Sequence, residues 1–566
     1  MNLSDKKGVQ HIVETLAKLG LKEVVICPGS RNAPLTISFN RHPAFRCTSI
    51  RDERSAAFFA LGKAIELKEP TAVVCTSGSA ALNFAPAISE AFYQRIPLMV
   101  ITADRPKEWT GQGDGQTINQ TNLYQNIIRK SYELKGDANT PSDLWYNSRS
   151  LCEGWSIGNI SDKGPVHFNI PFHEPLYETA EPEETEVRIF SELATEKRLL
   201  ESELSHLSQI FTECRKVMIL AGQHHVDDAF RKELSAMAAF DNVIILTEST
   251  SNIHNSLFVE NIDRVITGMN EAESAEFMPE LLITIGGAIV SKRIKATLRR
   301  FRPKYHWNVD PFDCMMDTYQ SLTSAIPLNA SEFFSQLRLK IKNVLSDYRM
   351  IWQDRKVLFS QLHEEFVEHC EYSDLHVFHK LFQRIPENTH LQLSNSSPVR
   401  YAQLFDNSRI AESWSNRGTS GIDGCTSTAM GCAVASPDKN FLLVTGDIAF
   451  QYDNNGLWVD EVAENLKIMV INNGGGGIFR IISGPGIADE LEKFFETSTH
   501  SSIEKLARHY KWDYLAATDK TTLEKAWEDF FNPAKGRIIL EVFTDAVKNP
   551  QVLEKYWKFL KEKSKV

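Results

Sequence analysis

The chain has 566 residues, a formal charge of −11, 42% hydrophobic and 24% charged side chains. That length holds two to four domains with ample core, and the acidic balance excludes a general nucleic-acid binder, whose phosphate contacts need clustered Lys and Arg. Nine cysteines lie scattered without a C-x-x-C pair, which indicates neither a zinc site nor a disulfide framework and fits a reducing cytoplasm.

The opening residues MNLSDKKGVQHIVETLAKLG read as an amphipathic helix rather than a signal peptide. No apolar run approaches the ~20 residues needed to cross a bilayer. A strand over 23–27 follows, then the loop Pro28-Gly29-Ser30-Arg31-Asn32-Ala33-Pro34, which offers backbone, hydroxyl and guanidinium donors to an anion or is a plain turn. Arg51-Asp52-Glu53-Arg54 then leads into the small, apolar helix SAAFFALGKAIEL. Glu53 at its start suits the helix dipole. A strand over 71–75 runs into a Gly-Ser loop, where Ser77 or Ser79 can cap a helix. The strand PLMVITA ends at Asp104-Arg105-Pro106, and the run Gly111 to Gln116 gives a polar loop able to close over a substrate. A strand over 165–170 completes a first domain of about 180 residues. Strands alternate with helices throughout, which predicts a parallel, doubly wound sheet.

The acidic stretch EPEETEVRIFSELATEK reads as a linker. The middle domain, 181–350, has three short apolar strands, KVMILAG, NVIILTE and ELLITIGG, each followed by polar or glycine residues and a helix. It carries no G-x-G-x-x-G fingerprint for a dinucleotide. In SKRIKATLRR, Ile294 and Leu298 are spaced to pack inward. The basic residues around them read as a solvated face, except Lys292-Arg293 in the first turn, which face an anionic ligand.

The last domain, 351–566, begins with a helix over 375–382 and a strand over 389–393 that stops at Ser394-Asn395-Ser396-Ser397-Pro398, with Arg400 in the helical turn after it. The polar loop ESWSNRGTSGIDG precedes a small-residue helix, CTSTAMGCAVA. Then two apolar runs, 441–444 and 468–471, end at Gly446-Asp447 and Asn472-Asn473, the second followed by four glycines. Both therefore end in polar residues at the carboxyl edge of a sheet, where open α/β folds bind ligands. An Asp carboxylate, an Asn amide oxygen and a carbonyl of the glycine run are hard donors suited to magnesium. Glycine backbone without side chains can approach a diphosphate closely.

This segment resembles the GDG…NN motif of thiamine-diphosphate (ThDP) enzymes, whose fold is three consecutive doubly wound parallel-sheet α/β domains: pyrimidine-binding (1–180), middle (181–350) and diphosphate-binding (351–566). The resemblance implies that Asp447, Asn473 and the Gly475 carbonyl hold Mg2+ or Mn2+; Ile448 departs from the third glycine common in the motif. It implies further cofactor contacts at Asn395, Ser420, Gly446, Gly476 and Ile478, with Ile422 as the apolar wedge that bends the cofactor. Glu53 resembles the carboxyl group that hydrogen-bonds the aminopyrimidine ring and drives formation of the ylide. Burial would raise its pKa.

Within that family the blocks PGSRNAPLT, DER, TSGSA, TADRP, PFHEPLY, SKR, NSSPVR, SNRGTSGIDG, GDIAFQYD and NNGGGGIF are similar, in order and context, to the menaquinone-pathway (vitamin K2) synthases that form 2-succinyl-5-enolpyruvyl-6-hydroxy-3-cyclohexene-1-carboxylate (SEPHCHC). Gly115 and Gly477 depart from residues common there. The resemblance implies decarboxylation of 2-oxoglutarate and conjugate addition of the resulting succinyl-semialdehyde carbanion to isochorismate. It assigns the carboxylates of these dianions to Arg31, Arg105, Lys292, Arg293, Arg400 and Arg417, with Ser30, Gln116 and Ser396 as neutral donors and Ile478 and Phe479 as the apolar lining. It also implies a cytoplasmic homodimer, or a tetramer of dimers, with Glu53 and Asp447 meeting across the subunit interface. The rival readings are another ThDP 2-oxoacid decarboxylase or carboligase, and a non-catalytic binding protein of the same fold.

Overall fold

The computed structural model describes residues 2–182, 187–193, 195–481, 488–497 and 501–564. Part of the acidic linker, 183–186 and 194, lies outside the described residues.

Runs rich in Val, Ile and Leu form three parallel sheets, each strand followed by a helix or loop that returns the chain across the sheet. The first sheet has six strands in the spatial order Arg46–Ser49, Glu23–Ile26, Thr71–Cys75, Leu98–Asp104, Val166–Pro171, Lys130–Glu133. The second has five: Val243–Leu246, Val217–Ala221, Leu281–Ile285, Tyr305–Val309, Ser324–Ile326. The third again has six: Ile410–Trp414, Thr389–Leu393, Asn440–Gly446, Leu466–Asn472, Ile538–Phe543, Asp513–Ala517. Central strands are buried on both faces, as all-parallel sheets require. Ile294 and Leu298 point into the core of the middle segment, as their spacing predicts.

The first and third sheets meet through two helices, Glu53–Leu67 and Cys425–Ala435. Both consist of small and apolar residues and are buried nearly all round. Glycine permits the approach. A Cβ on Gly62 would lie 2.1 Å from the Thr428 carbonyl oxygen, and one on Gly431 would lie 2.1 Å from that of Phe59. On the opposite face of the third sheet, the last helix, Lys548–Lys563, packs on Tyr348–His369, where Tyr556 and His363 Nδ1 hydrogen-bond at 2.8 Å. Among the described residues, no helix is long and apolar enough to cross a membrane.

Candidate active site

Counted along the chain, the strands of the third sheet run 2-1-3-4-6-5. The order reverses between Thr389–Leu393 and Asn440–Gly446, the place where an open α/β sheet forms its ligand crevice. A cavity of about 240 Å³ opens there, lined by Asn395, Ser396, Ile422, Gly446, Asp447, Asn473, Gly475, Gly476, Ile478 and Phe479. These residues come from four separate strand ends and loops, so the cofactor residues predicted in the last segment converge, except Ser420; Glu53 of the first segment does not join them.

Asp447 opens a short helix after its strand and is 2% exposed. Its Oδ1 accepts from the Ile448 N–H at 2.9 Å, while Oδ2 has no hydrogen-bond partner among the described residues. Burial pushes its carboxyl up to about 7. Asn473 is likewise buried; its Nδ2 donates to Asp374 Oδ2 at 3.1 Å, and its Oδ1 has no partner among the described residues. Two buried oxygens left without donors are costly in an empty protein and are the ligands a hard cation takes. Gly475 sits at φ 148° with a prospective Cβ 2.6 Å from the Glu496 carbonyl oxygen, so only glycine fits. The donor set therefore suits a divalent cation with phosphate oxygens.

The loop from Ser415 to Gly424 forms the opposite wall. Asn395 Nδ2 donates to the carbonyls of Asn416 (2.7 Å) and Gly421 (2.6 Å), and its Oδ1 accepts from Arg417 Nη1 at 2.9 Å. Ser396 and Ser420 adopt left-handed backbone, φ 77° and 62°, which turns both loops sharply. The same loop is fastened by Glu90, a buried carboxylate in the helix Ala85–Gln94 of the first segment. Its oxygens accept from the N–H groups of Gly418 and Thr419 and from Thr419 Oγ1, each at 2.7 Å. Gln223 of the middle segment donates to the Ser415 carbonyl at 3.0 Å. All three segments therefore hold the loop that carries Arg417.

A second cavity, of about 570 Å³, shares Ser397 and Ile478 with the first and is lined by Lys292, Arg293, Arg400, Arg480, Asp263 and Trp557. Arg293 stacks its guanidinium 3.8 Å above the Trp557 ring and donates to Thr267 Oγ1 at 2.5 Å. Burial lowers the pKa of Arg400 and of Arg293, and Asp263 opposes that shift in both. Three cations predicted from two motifs, Lys292 and Arg293 from one and Arg400 from the other, thus line one chamber beside the first cavity.

The remaining residues gather at the carboxyl edge of the first sheet. Glu53 is the first residue of its helix, behind the Asp52 cap that accepts from the Ser55 N–H at 3.2 Å. It is half-buried, and burial raises its carboxyl above the ordinary range. Arg31 is almost fully buried, with one arm on the Phe172 carbonyl (2.9 Å) and the other on Glu174 (3.0 Å). Arg105 pairs with Asp114 at 3.3 Å and donates to the Gly115 carbonyl. Ser30 and Gln116 are exposed, Gln116 with φ 54°. Neither Glu53 nor this cationic set lines the two cavities.

Sequence reasoning missed Glu90, Asp374, Trp557 and Arg480. Each touches the site from a helix or turn with no motif of its own; Glu90, Asp374 and Trp557 find their partners far away in the chain, and Arg480 finds Glu496 16 positions on.

Comparison with known proteins adds independent findings. Residues 6–123 match the family described as thiamine pyrophosphate enzyme, N-terminal TPP binding domain, and residues 396–542 match the corresponding C-terminal TPP binding domain. The 2-succinyl-5-enolpyruvyl-6-hydroxy-3-cyclohexene-1-carboxylate synthase of Flavobacterium johnsoniae is 42% identical over 97% of this chain and 98% of that protein. The synthase of the same name from Flavobacterium psychrophilum is 43% identical over 97% and 98%, and that of Porphyromonas gingivalis 39% over 99% and 98%.

Proposed function

The chain belongs to the family of 2-succinyl-5-enolpyruvyl-6-hydroxy-3-cyclohexene-1-carboxylate synthases, which are thiamine pyrophosphate enzymes, and from that premise we propose that it decarboxylates 2-oxoglutarate and joins the remaining four-carbon unit to isochorismate. The observation that carries the reading is the pairing of two partnerless buried oxygens, Asp447 Oδ2 and Asn473 Oδ1, with an adjoining chamber lined by Lys292, Arg293 and Arg400.

When bound, thiamine diphosphate would supply the nucleophilic carbon and the electron sink that a 2-oxoacid decarboxylation needs. Asp447, Asn473 and the Gly475 carbonyl hold Mg2+, or Mn2+, against its diphosphate. Asn395, Ser420, Gly446 and Gly476 contact the cofactor, and Ile422 props its bend. Glu53 shares a proton with the aminopyrimidine ring; burial, which raises its pKa, favours that sharing. Lys292, Arg293, Arg400 and Arg417 take the substrate carboxylates, helped by Ser396. Arginine forks suit this because they can make two parallel hydrogen bonds. Ile478 and Phe479 keep water from the reacting carbon.

Segments 1–180, 181–350 and 351–566 act as pyrimidine-binding, middle and diphosphate-binding domains. Glu53, Ser30, Arg31, Arg105 and Gln116 complete the site from a second copy of the chain, giving a homodimer or a dimer of dimers. Arg31 and Arg105 must then exchange Glu174 and Asp114 for substrate, since those acids occupy them here. The nine free thiols suit the cytoplasm.

The test is an assay with ThDP, Mg2+ and 2-oxoglutarate, with and without isochorismate. The expected result is isochorismate consumption that requires both other components, with one carbon dioxide per adduct. Decarboxylation indifferent to isochorismate would point instead to another ThDP carboligase, and cofactor binding without turnover to a non-catalytic protein.

A further inference from the structure

Asn473 can present an oxygen to a cation only if its amide is pinned. A carboxamide has an acceptor on one side and an NH2 on the other, and a half-turn exchanges them. The group that decides here is Asp374. It is fully buried at the start of the helix Asp374–Arg384 and accepts the Asn473 NH2 on Oδ2 at 3.1 Å. Both Asp374 oxygens act as acceptors here, Oδ1 from Thr544 and Oδ2 from Asn473, so the side of Asn473 it holds is the NH2. The amide oxygen is thereby turned into the pocket beside Asp447 Oδ2.

Asp374 is itself held in a closed ring of three residues. Thr544 Oγ1 donates to Asp374 Oδ1 at 2.6 Å. The Asp374 N–H donates to Asn549 Oδ1 at 2.9 Å, and Asn549 Nδ2 donates to Thr544 Oγ1 at 3.1 Å. Thr544 follows the strand that ends at Phe543, and Asn549 lies in the last helix. One carboxylate oxygen, Oδ1, and the Asp374 backbone N–H are therefore fixed by elements that lie outside the cavity, which leaves Oδ2 to hold Asn473.

We propose that Asp374 is the positioning residue of the cation site: it fixes the amide of Asn473 so that oxygen, not nitrogen, faces the metal, with Thr544 and Asn549 as its support. The inference rests on the reading of Asp447, Asn473 and Gly475 as metal ligands. Outer-shell partners that orient ligands this way are worth about 10- to 100-fold in metal affinity.

The experiment is Mn2+ uptake in the presence of ThDP, followed by electron paramagnetic resonance, on full-length wild type, Asp374→Ala, Asp374→Asn and Thr544→Val. Asp374→Ala should weaken Mn2+ by about 10- to 100-fold. Asp374→Asn keeps an amide oxygen that can still take the Asn473 NH2, so it should recover most of the loss. Thr544→Val frees one carboxylate oxygen and should weaken Mn2+ less than Asp374→Ala does. Unchanged Mn2+ affinity in Asp374→Ala, with only a lower melting temperature of the apo protein, would make Asp374 a structural residue and overturn the proposal. Equal losses in Asp374→Asn and Asp374→Ala would overturn it too, because charge rather than amide orientation would then be at work. Should Asp374→Ala fail to fold, Thr544→Val decides: wild-type affinity there sinks the proposal. A wild-type protein that takes up no Mn2+ with ThDP would bring down the cofactor reading itself.

Discussion

The first and third sheets are the same six-stranded arrangement, 2-1-3-4-6-5 along each segment, yet their carboxyl edges do different chemistry. At the reversal of the third sheet, loops ending in Asn395 and Asp447 leave a cavity of oxygen donors. At that of the first, the loop after Glu23–Ile26 carries Arg31, already neutralised by Glu174, and the Glu53 carboxyl stands one strand away. The middle sheet begins with the same order, 2-1-3-4, and shuts its crevice: a Cβ on Gly222 would lie 2.0 Å from the Gly287 carbonyl oxygen. Topology supplies a crevice three times; the residues at the strand ends decide whether it holds a cation, presents an acid or closes.

That division of labour can be broken at its strongest point first. Asp447→Ala should abolish metal-dependent ThDP binding, read by isothermal titration, while the first sheet stays folded; wild-type affinity would remove Asp447 from the site. Glu53→Gln is the opposite cut. It should leave cofactor binding intact and slow proton–deuterium exchange at the thiazolium carbon by about 10²- to 10⁴-fold, and an unchanged exchange rate would show that the first sheet supplies no acid. The middle sheet is sharpened by pH. Buried Glu248 has its carboxyl pushed up to about 7 by desolvation, above its ordinary 4.5. The unfolded chain therefore releases this proton first, and as pH rises from about 4.5 to 7 stability falls by at most about 1.4 kcal/mol per unit. Glu248→Gln should flatten that part of the pH–stability curve. Gly62→Ala tests the contact between the two six-stranded sheets: the added methyl meets the Thr428 carbonyl and should cost about 1–3 kcal/mol in chemical denaturation. The smallest effect is expected at Lys68, which ends the Glu53–Leu67 helix in left-handed backbone at φ 56°. Lys68→Gly should raise stability by about 0.5–1 kcal/mol with catalysis unchanged.

Much of this was legible in one sequence because the signals are local. An apolar run that stops at Asp447, and another that stops at Asn472-Asn473, reveal a strand and its chemical end together. The strand Thr389–Leu393 and the helix Cys425–Ala435 have the bounds their composition predicts. Cofactor residues from four loops meet because each loop follows a strand of one sheet. What was not legible depends on long-range partners. Asp374 reads as an ordinary acid at a helix start; its importance lies in Asn473, 99 positions away. Glu90 reads as a helix-surface glutamate and is instead buried against Gly418, 328 positions away. The guanidinium of Arg31 looks free in sequence, but Phe172 and Glu174 occupy it. Local patterns fix strand ends and the types of donor they carry; which donors are left over depends on the neighbours that folding brings.

The grip of Glu90 on the Arg417 loop has a consequence for how the chain comes apart. The buried Glu90 carboxylate accepts from three donors on Gly418 and Thr419 and loses all three bonds when it withdraws. Melting of the pocket wall in the last segment is therefore coupled to melting of its contact with the first segment. A ligand resting on that wall holds both segments by mass action. Loading the cofactor should then do more than raise the melting temperature: it should merge the unfolding of residues 1–180 and 351–566 into one cooperative event, making two sheets far apart in sequence a single unit in calorimetry and hydrogen exchange.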